Sequence, residues 1–269
     1  EMIQNKSPQV KLIISKENLG FAKGNNEAIR QSQGKHILLL NPDTVIHDAA
    51  VVELSAALDK WPSLGIIGGQ LLNADGSLQA SSGAFPSLYI EIPLLNRLIH
   101  MQPQESMQEE QIANASLRLV DYVSGACLMS RREVLNRVGL LDEDFWLYTE
   151  EADFCYRVQK AGWGVATLLQ ARITHIGQGA SRQRNKKTML YYYQSRVRFI
   201  AKHQGSRAAT ITKGILATKA LFWRRMPSRS PLFRSYGPNL TEKLIQDDYR
   251  QLHQEMKVAL NELLATSWD

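Results

Sequence analysis

The feature that most constrains the fold of this 269-residue chain is the run HILLL at residues 36–40, followed at once by Asn41, Pro42 and Asp43. The run is apolar on both faces, as is typical of a strand at the centre of a parallel sheet. Strand-like runs alternate with amphipathic helical stretches along the first half of the chain, beginning with VKLIIS at residues 10–15. This alternation predicts an α/β fold with a largely parallel sheet.

The corner after HILLL carries two polar side chains in a fixed relation. In extended backbone, Asn41 and Asp43 project to the same side, and Pro42 keeps its predecessor extended. A carboxylate at a strand end suits a hard divalent cation that bridges to phosphate oxygens. Asn-Pro-Asp-Thr is equally well explained as a plain turn that begins a helix, and the residues alone do not decide between the two.

A second candidate is DFWLYTEEADFCYR, which begins at Asp144. Glu150, Glu151 and Asp153 follow the aromatic residues Trp146 and Tyr148 and open a helix, where the helix dipole favours acidic residues in any case. Two adjacent carboxylates beside aromatic rings could instead supply a general base for a hydroxyl nucleophile, since each perturbs the pKa of the other. Both explanations stay open at this point.

A third candidate is His175, which ends a later strand in THIGQGAS. A lone histidine at a strand end is more often structural than a ligand. It gains weight here because it could reach the same edge of the sheet as Asp43. Imidazole and carboxylate together are plausible ligands for a manganese-type ion.

Composition argues against several classes of protein. No run approaches the roughly 18 uninterrupted apolar residues of a membrane span, and no signal-peptide pattern is seen, so we expect a cytoplasmic protein. Cys127 and Cys155 form no CxxC pair, which argues against a disulfide framework or a thiolate zinc site. Between Asp153 and Glu242 the chain has no acidic residue but many Lys and Arg residues. Nucleic acid, anionic lipid and a diphosphate substrate are candidate partners for this basic window, and a merely solvated basic face is the alternative.

Taken in order, these pieces resemble glycosyltransferase family 2, in particular its rhamnosyltransferase-like branch. The matching segments are NLGFAKGNNEAI, LLLNPDT, VSGACLMSRREVLNRVGLLDEDFW, YTEEADFCYRVQKAGW and THIGQGAS, which cover most of residues 10–181. The resemblance implies a GT-A fold: a Rossmann-like α/β domain with a mixed, mainly parallel sheet flanked by helices. We assign it to residues 1–181, with 85–117 as a mobile loop or insertion, and assign 182–269 to a basic, aromatic, helical C-terminal extension.

The resemblance also implies an activity, namely inverting transfer of a sugar, with rhamnose as the candidate, from a nucleotide-diphosphate sugar. The acceptor would be a hydroxyl of a glycan or of a polyprenyl-diphosphate-linked acceptor in surface polysaccharide synthesis. A divalent cation, Mn²⁺ or Mg²⁺, would assist. The basic window then indicates a peripheral position on the anionic inner face of the membrane, or packing on the catalytic domain, and no nucleic acid.

Site residues follow by position in the matched motifs. Asn41 and Asp43 fall on the family's nucleotide-sugar and metal motif, with Asp43 and His175 as metal ligands. Gly24 and Asn25 match a loop that borders the nucleotide. Glu151 falls on the usual base, although the sequence has Glu-Glu where the family has Glu-Asp, so Glu150 stays a candidate. The aromatic platform and its neighbouring acid predict acceptor contacts at Trp146, Tyr148 and Asp153.

The sequence departs from the family at its start, where only the tail of an N-terminal strand-helix-strand unit is present. We therefore expect weak or absent donor binding by this chain alone and an apolar sheet edge. An inactive remnant that serves as a binding or assembly subunit is the competing function. A nucleotidyltransferase is less favoured because no Gly-rich phosphate loop follows the first strand, and nucleic-acid binding lacks a recognition motif.

Overall fold

The run HILLL forms a strand, as predicted, but not at the centre of a parallel sheet: among the described strands it lies at one end of a six-stranded sheet and pairs antiparallel with its neighbour. The structure, a computed structural model, describes residues 5–88, 116–177 and 186–225. Its strands are β1 (His36–Leu40), β2 (Thr44–Ile46), β3 (Leu64–Leu72), β4 (Ser82–Gly83), β5 (Leu117–Leu119), β6 (Tyr122–Val123), β7 (Cys127–Arg131) and β8 (Gly164–His175). Its helices are α1 (Gly20–Gln31), α2 (Ala50–Lys60), α3 (Arg132–Val138), α4 (Glu150–Lys160), α5 (Lys186–Gln204) and α6 (Ser206–Arg225).

The sheet is mixed, in the order β1-β7-β3-β8-β2, with β5 also paired to β8. The prediction of a mainly parallel sheet was wrong for the described strands. Only the β3–β8 ladder is parallel, whereas β1–β7, β3–β7, β2–β8 and β5–β8 are antiparallel. The reason is that β7 runs between β1 and β3 in the opposite direction, and so separates two strands that point the same way.

Helices cover both faces of the sheet because the central strands are apolar on both sides. On one face, Ile66 packs in a cluster with Val134 of α3 and Phe154 of α4. On the other, its neighbour Ile67 packs with Leu54 and Leu58 of α2. Successive residues of a strand point to opposite faces, so β3 contributes to both layers of the core.

The segment 10–15, predicted as a short buried strand, is neither a strand nor buried. Val10 is 51% exposed and Ile14 is 76% exposed. Local apolar character favours a strand, but a strand also needs a neighbouring strand to pair with. No ladder in the described part of the chain includes this segment, and β1 is the outermost strand on its side of the sheet. The apolar sheet edge expected beside residues 10–15 is therefore not formed by this segment, and among the described strands the sheet ends at β1 on that side.

Helix α5 packs directly on the segment that precedes and begins α4, although the sequence assigned residues from 182 onward to an extension. Phe199 of α5 is fully buried with Phe145 and Ala152. Ser195 Oγ donates a hydrogen bond to Leu147 O at 2.9 Å, and Arg198 pairs with Asp144 at 2.7 Å. Helix α5 therefore packs against residues 144–152, a segment that includes the candidate residues Glu150 and Glu151.

Two further predictions fall largely outside the described residues: most of the loop at 85–117, and the extension beyond residue 225. Within the described residues, no helix is both long enough and apolar enough to cross a membrane. Helix α6 buries Ala209, Thr212 and Leu216 and exposes Arg207 and Ile211.

Candidate active site

The corner that follows β1 is held on three sides by backbone hydrogen bonds. Asn41 N donates to Ala126 O at 3.1 Å, which ties the corner to the loop before β7. Strand β2 begins directly after the corner and pairs antiparallel with the end of β8, so that Thr44 lies opposite His175. Ile176 N donates to Asp43 O at 2.9 Å. The topology therefore brings the ends of β1 and β8 to one place.

Three of the predicted site residues meet there. His175 Nε2 lies 3.3 Å from Asn41 Nδ2 and 3.3 Å from Asp43 Oδ1. The side chains of His175 and Asp43 keep 20% and 24% of their surface exposed, so a ligand can reach them. Within the described ranges, no group of three or more His, Cys, Asp or Glu residues could hold a metal ion. Asp43 and His175 form a pair at this corner, one residue short of such a group.

Sequence reasoning missed Gln79, which contacts the other side of the imidazole. Its Oε1 lies 2.8 Å from His175 Nδ1, and its Nε2 donates to His175 O at 3.1 Å. The only sequence signal near it is the NADGS turn at residues 73–77, which predicts a hairpin but assigns no role to the residues after it.

The second predicted cluster lies at the first turn of α4. Glu150 is 4% exposed, and the Oε2 atoms of Glu150 and Glu151 are buried without a hydrogen-bond partner among the described residues. Burial raises the pKa of Glu151 to about 6. Burial, followed by the neighbouring Glu151 carboxylate, raises the pKa of Glu150 well above its ordinary value. Burial therefore favours the protonated form of both carboxyls, and the neighbouring Glu151 carboxylate favours it further at Glu150.

A strained turn presents this pair. Tyr148 and Thr149 both have left-handed backbone, with φ of 67° and 74°. Non-glycine residues rarely adopt this conformation, which costs roughly 1–3 kcal/mol for each residue and is concentrated at functional sites. The turn then enters α4, and Asp153 N donates to Thr149 O at 2.8 Å.

The loop 124–126 links the carboxylate pair to the corner. A Cβ atom added to Gly125 would lie 3.9 Å from Glu151 Cβ and 3.1 Å from the Phe21 ring. The next residue, Ala126, accepts the hydrogen bond from Asn41 N. Glu151 and Asn41 are therefore separated by one loop, and a Cβ atom at Gly125 would press on the Phe21 ring while making ordinary van der Waals contact with Glu151.

Aromatic side chains lie beside the pair, as the sequence predicted for Trp146 and Tyr148. Trp146 is 43% exposed, and its ring centroid lies 6.3 Å from that of Tyr191. Tyr148 makes an edge-to-face contact with Tyr192 at 6.1 Å. Sequence reasoning missed both tyrosines of α5, since their helix lies over 40 residues further along the chain.

The prediction that Asp153 contacts the acceptor needs correction, because this residue is buried. It is 0% exposed, Arg157 Nε donates to its Oδ2 at 2.8 Å, and Oδ1 lies 2.7 Å from both Lys202 Nζ and His203 Nε2. Both oxygens are thus engaged with cations from α4 and α5. Asp153 is a structural anion that joins these two helices.

Gly24 and Asn25 lie inside α1, not in a loop as the sequence predicted. Asn25 Nδ2 donates to Phe21 O at 2.8 Å, and the space beside the Gly24 Cα is open. Their neighbour Asn26 is 1% exposed and exchanges two hydrogen bonds with the backbone of Leu141. No contact in the described part of the chain joins Gly24 or Asn25 to the corner.

The mixed sheet and its covering helices give the protein a GT-A-like fold. A solved structure of GalNAc-T7 with UDP, GalNAc and Mn²⁺ superposes with a TM-score of 0.54, covering 97% of this chain and 46% of that chain. At 14% sequence identity this likeness shows the fold alone.

The chain belongs to the glycosyltransferase-like family 2, whose sequence pattern matches residues 1–199. One relative is the N-acetylglucosaminyl-diphospho-decaprenol L-rhamnosyltransferase of Mycobacterium tuberculosis, 26% identical over 212 residues, which are 74% of this chain and 69% of that protein. Another is the low-salt glycan biosynthesis hexosyltransferase Agl10 of Haloferax volcanii, 28% identical over 193 residues, which are 70% of this chain and 59% of that protein. The resemblance to the rhamnosyltransferase-like branch is confirmed, and the protein is a transferase enzyme.

Proposed function

We propose that this protein transfers a sugar, with rhamnose as the first candidate, from a nucleotide-diphosphate sugar to a hydroxyl of a polyprenyl-diphosphate-linked glycan, with inversion at the transferred carbon. The observation that carries this proposal is the buried Glu150–Glu151 pair, one loop away from the cluster of Asn41, Asp43 and His175. The rhamnosyltransferase relative, whose name includes a diphospho-decaprenol acceptor, supports the choice of donor and acceptor classes.

The corner would hold the diphosphate end of the donor through a divalent cation. Mg²⁺ and Mn²⁺ are held in such sites by one or two protein ligands, with phosphate oxygens and waters in the remaining positions. The carboxylate of Asp43 and the imidazole of His175 match that donor set. When bound, the cation would stabilise the negative charge of the departing nucleoside diphosphate. Asn41 contributes a neutral amide, which can hydrogen-bond a hydroxyl without repelling phosphate.

Glu151 would act as the general base. A carboxylate with a pKa of about 6 is ionised at neutral pH and basic enough to accept a proton from a hydroxyl as that hydroxyl becomes a nucleophile. The acceptor oxygen would then form the new bond to the sugar carbon, the bond from that carbon to the diphosphate oxygen would break, and the proton would remain on Glu151. Glu150 is the alternative base, but burial and the neighbouring Glu151 carboxylate raise its pKa well above the ordinary value, which favours the protonated form, a hydrogen-bond donor.

The exposed ring of Trp146, with Tyr148 beside it, would stack on the apolar face of the acceptor sugar. Rings of this kind supply a large apolar contact area with little loss of conformational freedom. Gly24 and Asn25 would border the nucleotide only if the donor reaches the outer turn of α1. Residues 1–181 would thus carry the donor and base groups, and the segment from residue 182 would support them.

The transferase assay should separate the two glutamates. We expect Glu151→Gln to lower kcat by about 10²- to 10⁴-fold, the usual contribution of general-base catalysis. Glu150→Gln should lower it far less, because an amide also donates a hydrogen bond. Glu133→Gln, an exposed glutamate in the first turn of α3, is the matched control. The role of Glu151 would be ruled out if the Glu151→Gln variant binds the dTDP- or UDP-sugar donor and turns it over as fast as the wild-type protein.

We also propose that the basic C-terminal helices bring the enzyme to an anionic membrane surface on the cytoplasmic side. Helix α6 exposes Arg207 and Ile211, and the neighbouring sequence is rich in Lys and Arg. Each such cation near an anionic leaflet contributes roughly 1 kcal/mol. Co-sedimentation with vesicles should rise with their phosphatidylglycerol content, and binding that is indifferent to that content would contradict the proposal.

A further inference from the structure

The hairpin that follows β3 contacts the candidate metal ligand His175 through one side chain, Gln79. Asn73 N donates to Ser77 O at 2.8 Å to close the turn, and Gln79 N donates to Leu71 O at 2.9 Å just after it. Gln79 then reaches His175, which lies 96 residues further along the chain. We propose that Gln79, braced by Asn73, fixes the tautomer and ring orientation of His175, a positioning role that rests on the proposed metal site.

The orientation of both amides follows from backbone carbonyls, which can only accept hydrogen bonds. Leu78 O lies 3.3 Å from the Asn73 amide, so this contact requires Asn73 Nδ2, which also donates to Ser77 Oγ at 2.9 Å. Asn73 Oδ1 is therefore turned toward Gln79, whose Nε2 donates to it at 2.9 Å. His175 O, 3.1 Å from the same Nε2, independently requires that orientation of Gln79.

With Nε2 so placed, Gln79 Oε1 must face His175 Nδ1, at 2.8 Å. An amide oxygen cannot donate, so the proton of the neutral imidazole lies on Nδ1. The alternative tautomer would set two lone pairs against each other at that distance. A flipped Gln79 would instead oppose two oxygens, Asn73 Oδ1 and His175 O.

This tautomer determines the state of Nε2, on the opposite side of the imidazole ring. Nε2 keeps its lone pair, accepts from Asn41 Nδ2 at 3.3 Å and lies 3.3 Å from Asp43 Oδ1. In this tautomer the Nε2 lone pair faces the Asp43 carboxylate with no proton between them, an arrangement that a metal ion shared by the two groups would stabilise, since neutral imidazole binds metal ions through such a lone pair. Hydrogen-bond partners of this kind hold a metal-binding ring in place, and losing one typically costs 10- to 100-fold in metal affinity.

The first test reads the tautomer without any metal. Full-length protein labelled with ¹⁵N-histidine at pH 8 is compared with Gln79→Leu by long-range ¹H–¹⁵N correlation, with His175 assigned by its loss in His175→Ala. We expect wild-type His175 to be the Nδ1–H form and Gln79→Leu to shift toward a mixture or toward the Nε2–H form. A wild-type Nε2–H form, or a spectrum that Gln79→Leu does not change, would overturn the proposal.

The second test measures Mn²⁺ affinity by electron paramagnetic resonance in the presence of dTDP. Gln79→Leu should weaken the affinity about 10- to 100-fold. Gln159→Leu is the matched control, since the part-buried Gln159 amide donates to Val120 O and Asp121 O, both at 2.9 Å, and has no hydrogen bond to Gln79 or His175; it should change the affinity less than about threefold. Equal losses in both variants would overturn the proposal. If wild-type protein binds no Mn²⁺, the metal site itself fails, and the tautomer comparison alone decides the role of Gln79.

Discussion

Replacing Glu151 by glutamine should make the folded protein more stable while it removes the proposed base. Glu151 Oε2 is buried, and no hydrogen-bond donor to it is found in the described ranges. The pKa of this carboxyl is raised from 4.5 to about 6 by burial. That difference corresponds to about 2 kcal/mol, which is the cost of holding the ionised form in the folded state.

Because folding raises the pKa of Glu151, the gain in stability from Glu151→Gln depends on pH in a defined direction. A carboxyl whose pKa is raised on folding favours the folded state while it is protonated, so this contribution is present below about pH 4.5. It is lost as the pH rises through about 6, where the folded protein must ionise the buried group. Glutamine resembles the protonated carboxyl at every pH. The gain from Glu151→Gln should therefore be about 2 kcal/mol at pH 8 and less than about 0.5 kcal/mol near pH 4.5.

Urea unfolding of wild type and variant at both pH values measures this difference, because titrating groups that do not interact with Glu151 cancel between the two proteins. A gain of 2 kcal/mol also corresponds to a rise of about 4–8 °C in Tm for a chain of this size. The exposed control Glu133→Gln should change the free energy of unfolding by less than about 0.5 kcal/mol at either pH. A Glu151→Gln variant that is no more stable than wild type at pH 8 would refute the claim that an ionised, buried carboxylate is held at this position.

Three further substitutions test the packing around the site. Asp153→Asn should lower the free energy of unfolding by about 3 kcal/mol in urea titrations, because the largely buried Arg157 guanidinium loses the carboxylate it pairs with, and a loss under 1 kcal/mol would count against the ion cluster. Gly20→Ala should cost about 1–3 kcal/mol, since its φ is +73° and a Cβ would lie 2.8 Å from Trp146 O; an unchanged Tm would contradict that contact. Asn26→Ala should cost about 2–3 kcal/mol and speed amide exchange at Leu141, whose buried N–H loses its acceptor, whereas wild-type exchange there would argue against the bond.

The sequence was sufficient where the signal is local. The HILLL strand, the polar corner after it and the carboxylate-rich start of α4 each depend on residues within one turn or strand, and the structure contains all three. The meeting of Asp43 with His175 was also predicted, from strand ends that share one edge of a parallel sheet, but in the structure it depends on the antiparallel pairing of β2 with the end of β8.

The failures share a different cause, which is that partners distant in the chain decide the outcome. The segment 10–15 has the composition of a strand, but pairing depends on a neighbour that composition does not reveal. Asp153 was predicted as a site residue from its position beside the two glutamates. Its partners Lys202 and His203 lie about 50 residues away in the chain, so the local sequence gives no sign that it is buried. Gln79 carries no signal of its own, since its partner His175 becomes adjacent only when β8 is in place.

The left-handed pair Tyr148 and Thr149 has a consequence for anyone who engineers this enzyme. Glycine or asparagine would relax the backbone at both positions, so a screen for thermal stability alone should favour such replacements. Yet the Tyr148 ring packs on Tyr192, and Thr149 is buried directly before the two glutamates. Variants selected in this way would gain stability but would hold the two carboxylates less rigidly. Selection for heat resistance at these positions should therefore also measure turnover.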